Sequence, residues 1–112
     1  MLEFGFPAGK LGSVLCLGAH CDDIEIGCGG TILRWINEHP GLSITWVVFS
    51  SNTIREHEAR ASASRLLANA ADSRIIVKTF RNGYFPYAGA EIKDFFEQLK
   101  AEVSPDIVLT HY

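Results

Sequence analysis

Four short runs dense in Val, Ile and Leu divide the chain: Ser13–Gly18, Ser43–Ser50, Arg74–Thr79 and Asp106–Thr110. Their apolar residues are continuous rather than alternating, the pattern of strands covered on both faces, as in a parallel sheet. Between them lie three segments of helical period. Cys28–His39 sets Ile32, Trp35 and Ile36 on one face, and Ile54–Ala71 does the same with Ala59, Ala63, Leu66 and Ala70. Ala90–Val103 has the cleanest stripe, with Ile92, Phe95, Phe96, Leu99 and Val103 spaced for a helix face. His39-Pro40-Gly41 and Ser104-Pro105 are natural helix stops. The order β-α-β-α-β-α-β predicts an α/β fold, a Rossmann-like three-layer α/β/α arrangement with a mostly parallel sheet and right-handed crossovers. At 112 residues the chain is long enough for one such domain, over 1–112, and not for two.

Charge and composition exclude several classes of partner. A net charge of −3, with ten scattered Lys and Arg, gives no electrostatic footing for nucleic acid or an anionic membrane. No apolar stretch approaches the roughly 20 residues that cross a bilayer. Met1–Pro7 lacks the basic start and long apolar stretch of a secretory leader, which favours a cytoplasmic location. The three cysteines, Cys16, Cys21 and Cys28, are odd in number and form no Cys-x-x-Cys, so neither a disulfide framework nor a cysteine-rich zinc finger is expected. Cys16, inside a strand run, reads as a small core residue.

Chemistry concentrates in one place. Directly after the first strand run comes Ala19-His20-Cys21-Asp22-Asp23, then Gly27-Cys28-Gly29-Gly30-Thr31. The carboxyl end of a strand is where ligand sites form in open α/β sheets. A hydrolytic zinc site needs about three N or O ligands and an open position for water, and a carboxylate outside the ligand set can take the proton. His20 and Asp23 can supply two ligands, leaving Asp22 free as a base. The plainer alternative is that Asp22 or Asp23 caps the helix that follows. The glycines suit a tight turn into that helix. They match neither the Gly-x-Gly-x-x-Gly nor the Lys-Ser/Thr phosphate loop. A second loop, Arg81–Gly89, carries Asn82-Gly83 and Phe85-Pro86-Tyr87 at the same edge of the expected sheet.

At these residues the chain resembles the LmbE-like, or PIG-L, family of metal-dependent N-deacetylases. Their hallmark is a His-Pro-Asp-Asp segment after the first strand and a Gly-x-Gly-Gly helix start, and Arg55-x-x-Glu58 is similar to the family's Arg-x-x-Glu stretch. The resemblance implies that His20 and Asp23 bind Zn2+, with another divalent metal as the alternative, and that Asp22 is the general base. It implies that water removes an N-acetyl group from an amino sugar or glycoconjugate by amide hydrolysis. Arg55 and Asn82 would contact that small-molecule substrate, as would His111. Cys21 stands where the family has proline, Ser62 where its second motif has alanine, and Asn82 where aspartate often precedes glycine.

The family's third metal ligand is a histidine shortly after the fourth strand, and His111 corresponds to the residue that often precedes it. The chain is therefore expected to be the N-terminal portion of the domain, cut after the fourth strand. A sheet without its later strands has an unpaired edge, so self-association into a homo-oligomer, or marginal stability, is expected. The competing functional expectation is a non-catalytic sugar- or nucleotide-binding module, or an inactive fragment without the third ligand. His39 and His57 fall on helical segments and read as solvated or capping residues.

Overall fold

The structure is a computed structural model and describes residues 5–6 and 9–112; most of the amino-terminal stretch inspected for a leader lies outside them. Strands β1 (Ser13–His20), β2 (Ser43–Ser50), β3 (Asp72–Val77) and β4 (Ile107–Leu109) alternate with helices α1 (Asp23–Glu38), α2 (Thr53–Leu66) and α3 (Gly89–Glu102). All three strand pairings are parallel, in the order β3-β2-β1-β4. The expected α/β class is therefore present.

Successive side chains of β1 and β2 point to opposite faces, and each face has its own core. Val14, Cys16, Ile44, Trp46 and Val48 pack with Ile24, Ile32 and Ile36 of α1 and Ala63 of α2. Leu15, Val47 and Phe49 pack with Phe95 and Leu99 of α3. Trp46, Val14, Cys16 and Val47 are at most 1% exposed, because strands on both sides and helices above and below leave no route to water. The sheet changes winding direction at β1. The chain steps outward through β2 and β3, then α3 carries it back to place β4 on the other side of β1. A crevice at such a reversal, outside the strand ends, is where open α/β sheets take ligands.

Several boundaries differ from expectation. Helix α1 begins at Asp23, not Cys28, and the glycine run lies inside it. Ile24 anchors this first turn: a β-carbon on Gly18 of β1 would sit 2.9 Å from Ile24 Cγ1, so the missing side chain lets α1 start hard against the strand. Cys28 (φ −146°, ψ 15°) kinks α1 where the sequence pattern placed its start. Gly29 faces Leu66 with only 3.3 Å for an added β-carbon. Gly29 thus serves a helix–helix contact, and none of the three glycines lies in the turn. Helix α2 stops at Leu66 instead of Ala71, although Ala70 still packs on the core. Strand β3 starts two residues earlier than expected and ends at Val77, and β4 is only Ile107–Leu109. Phe96, expected on the core face of α3, is 38% exposed.

Candidate active site

Two residues, Cys21 and Asp22, join β1 to α1. Asp22 is the only described non-glycine residue with positive φ (73°), a left-handed conformation that costs an L-residue about 1 kcal/mol and that Asp tolerates better than most. The turn leaves the Asp22 carboxylate exposed. Although Asp22 occupies the N-cap position, its side chain makes no capping hydrogen bond. Asp23 does not cap either; its Oδ2 accepts the His20 backbone N–H at 2.8 Å, closing the turn from within. The capping alternative therefore fails for both carboxylates.

His20 ends β1 half-buried, stacked on Phe85 with the rings 15° from parallel and 6.0 Å apart. Its Nε2 lies 2.7 Å from Asn82 Oδ1. A carboxamide oxygen only accepts, so Nε2 carries a proton. Nδ1, the other ring nitrogen, lies 3.6 Å from Asp23 Oδ2. A ligating histidine commonly donates its second ring N–H to an oxygen in this way. The donor chemistry of His20 and Asp23 thus fits a divalent ion taking N and O ligands.

His111, beyond β4, brings its Nε2 within 3.0 Å of the Ala19 backbone N–H and 3.4 Å of Asp23 Oδ2. One nitrogen cannot accept the first and donate to the second. In the shorter contact the Ala19 N–H donates to Nε2. Among the described residues no three His, Cys, Asp or Glu side chains converge as a metal-binding group. His20 and Asp23 are two donors, where a hydrolytic zinc site takes about three.

Two cavities flank this pair. Toward β4, about 290 Å³ is enclosed by Leu17, Asp23, Ile24, Cys28, Leu109 and His111. Toward β2 and β3, about 370 Å³ is lined by His20, Ser51, Asn52, Arg55, Arg81 and Asn82. Asn52 caps α2 by accepting the Arg55 backbone N–H at 2.9 Å, which fixes the Arg55 backbone at the rim. Cys21 Sγ lies 3.6 Å from Ser51 Oγ and 3.7 Å from the Arg55 carbonyl, tying the β1–α1 turn to the β2–α2 loop and the first turn of α2. The sequence-selected residues His20, Asp22, Asp23, Asn82 and His111 therefore gather around the end of β1, and Arg55 lines the same crevice. Glu58 is exposed and has no ion-pair partner among the described residues. His57 is exposed, while His39 accepts the Leu11 N–H at 3.4 Å beneath the opposite end of the sheet.

Sequence inspection overlooked Phe85 and Ser51 as site residues. Phe85 sat in an aromatic loop noted only as such; its opposing strand end was the available signal. Cys16 is pushed up to about 12, chiefly by burial and then by Cys28, so it is an inert core thiol as expected. Cys28 is also raised, by burial first and then by the Glu25 carboxylate.

A parallel sheet with a His-x-Asp-Asp turn at its first strand end places the chain in a known class: it belongs to the PIG-L family (GlcNAc-PI de-N-acetylase), which it matches over residues 15–112. Among solved structures it is similar to the N,N'-diacetylchitobiose deacetylase from Pyrococcus horikoshii, complexed with its inhibitor MPG. The TM-score is 0.67 and the identity 27%; the match covers 91% of this chain and 41% of that one. No helix among the described residues is long and apolar enough to cross a membrane.

Proposed function

We propose that this chain carries the catalytic turn of a metal-dependent N-deacetylase that acts on an N-acetylated amino sugar or glycoconjugate. The observation that carries the reading is the turn itself. His20 Nδ1 and Asp23 Oδ2 stand 3.6 Å apart, beside an Asp22 carboxylate that is exposed and makes no capping bond. His20 and Asp23 would hold zinc or another divalent ion that accepts N and O donors. Such an ion polarises a carbonyl and lowers the pKa of water. Asp22 takes a proton from the attacking water and passes it to the leaving nitrogen, so that amide and water become acetate and free amine. Arg55 and Asn82 orient the sugar on one side and His111 borders it on the other. Family membership and the likeness to a diacetylchitobiose deacetylase support this reading.

Acetate release from N-acetylglucosamine by the metal-loaded full-length protein tests it. Asp22→Asn should retain the metal and lose about 10²–10⁴-fold in kcat; His20→Gln should lose the metal itself. Full activity in Asp22→Asn would remove the base from the mechanism. Sugar binding that needs no metal and releases no acetate would instead identify a binding module.

A further inference from the structure

A third cavity, of about 190 Å³, opens on the α3 side of the β1 end, walled by Leu17, Phe49, Phe85, Ile92, Phe96 and His111. Among the described residues no carboxylate, lysine or arginine lines it. Phe96 packs on Phe49 with ring centroids 5.4 Å apart, yet it stays 38% exposed where it borders this space. Apolar surface left open beside a polar site is a place for a ligand group. The cavity adjoins the His20–Asp23 pair at two points. His20 lines the polar cavity and Phe85 lines this one, and the two rings stack between them. His111, another wall residue, has its Nε2 3.4 Å from Asp23 Oδ2.

A substrate amide held at His20 and Asp23 has two unlike ends. Its sugar end carries hydroxyl groups, which cost free energy in an apolar cavity unless hydrogen-bonded. Its acyl end is hydrocarbon and gains from the same burial. The polar cavity, with Ser51, Asn52 and Arg55, suits the first end, and the apolar cavity suits the second. An acetyl group offers a single methyl there. A group of about a water's size takes roughly 30 Å³, so the apolar cavity has room for several carbons. We infer that this cavity is an acyl pocket and that the chain hydrolyses N-acyl amino sugars whose acyl group is longer than acetyl, with Ile92 and Phe96 setting the length. The water oxygen joins the acyl carbon, the C–N bond breaks and the nitrogen takes a proton, so a short-chain carboxylate and a free amine leave. Placing the amide at the turn rests on the deacetylase reading; the apolar cavity beside it does not.

The test follows amine release by the metal-loaded full-length protein from glucosamine bearing N-acetyl, N-propionyl, N-butyryl or N-hexanoyl groups. From acetyl to butyryl, kcat/KM should rise about two- to fourfold per methylene. Ile92→Phe, which fills the cavity, should return the butyryl value to that of acetyl and leave acetyl unchanged. Phe96→Ala, which widens it, should move the optimum toward hexanoyl. If Ile92→Phe does not fold, Phe96→Ala, at a partly exposed position, carries the test. A kcat/KM that is flat or falls from acetyl to butyryl, or a length preference that neither variant moves, overturns the inference and leaves the deacetylase reading standing. If no amine is released from any of the four, that reading fails separately. Calorimetric binding that is tighter for N-butyryl- than for N-acetylglucosamine, and weakened by Ile92→Phe, then still supports the acyl pocket; equal binding overturns it.

Discussion

The two sides of the β1 end are built differently. On the β2/β3 side, His20, Asn82, Cys21, Ser51 and Asn52 form contacts that cross three loops, and two arginines border the space. On the β4 side, apolar Leu17, Ile24 and Leu109 surround one carboxylate, and His111 is held by one backbone amide. The first side rests on β2, whose last seven residues are all buried. The second rests on β4, a three-residue outer strand in which Val108 is 47% exposed. A polar network needs a stiff support to keep its geometry, and the inner strands supply it; the outer strand supplies a wall.

That contrast can be broken by experiment. The largest effect should come from Asn82→Ala, which removes the acceptor that fixes the His20 tautomer and should weaken metal affinity about 10–100-fold. Removing His111, whose Nε2 is engaged by Ala19, should change metal affinity less; competition with a chelating dye would compare the two variants. An equal or larger loss in His111→Ala would reverse the assignment of the two sides. Next in size is Asp106→Ala. Asp106 Oδ2 accepts the Gly12 and Ser13 N–H groups at 2.9 and 3.0 Å and pins the start of β4 to β1. Its loss should cost about 1 kcal/mol. Hydrogen exchange should quicken in β4 and leave β2 unchanged.

The smallest effect is an order of thiol labelling. Cys21, on the polar side, should react before Cys28, whose thiolate is disfavoured by burial and by Glu25, and Cys16 should not react in the native state. Because Cys16 is raised when folded, the stability this gives is complete below about pH 9. It is lost as pH climbs toward about 12, where only the unfolded chain ionises this thiol readily. Urea melts of the wild type and Cys16→Ala across that range would show whether the alkaline decline shrinks.

The same inner–outer difference decides what could be read from sequence. Continuous apolar runs identified β1 and β2 because both of their faces are covered. The same rule displaced β3 by two residues, missing its exposed Asp72 and Ser73, and overstated β4, because one unpaired edge changes a strand's surroundings without changing its composition. The start of α1 was misplaced because its first turns carry glycines and a kink at Cys28 that hide the helical period. At the site, His20, Asp22 and Asp23 were legible since they are neighbours in one turn. The element order placed Asn82 at the same sheet edge and family resemblance alone suggested its role, while its bond to His20 is a product of folding. The loop of Phe85 could be placed at the same sheet edge, but its stacking on His20 depends on that loop folding back over β1.

The sequence separations of these bonds also imply an order of assembly. His20 and Asn82 are 62 positions apart, whereas Ala19 and His111 are 92 apart and Gly12 and Asp106 are 94 apart. Loop closure costs more as the chain between partners lengthens, and contacts of high separation form slowly. During synthesis the polar side of the crevice can therefore close while the residues of β4 are still within the ribosome. The bare edge of β1 would meanwhile be open to chaperones, or to a strand from another molecule.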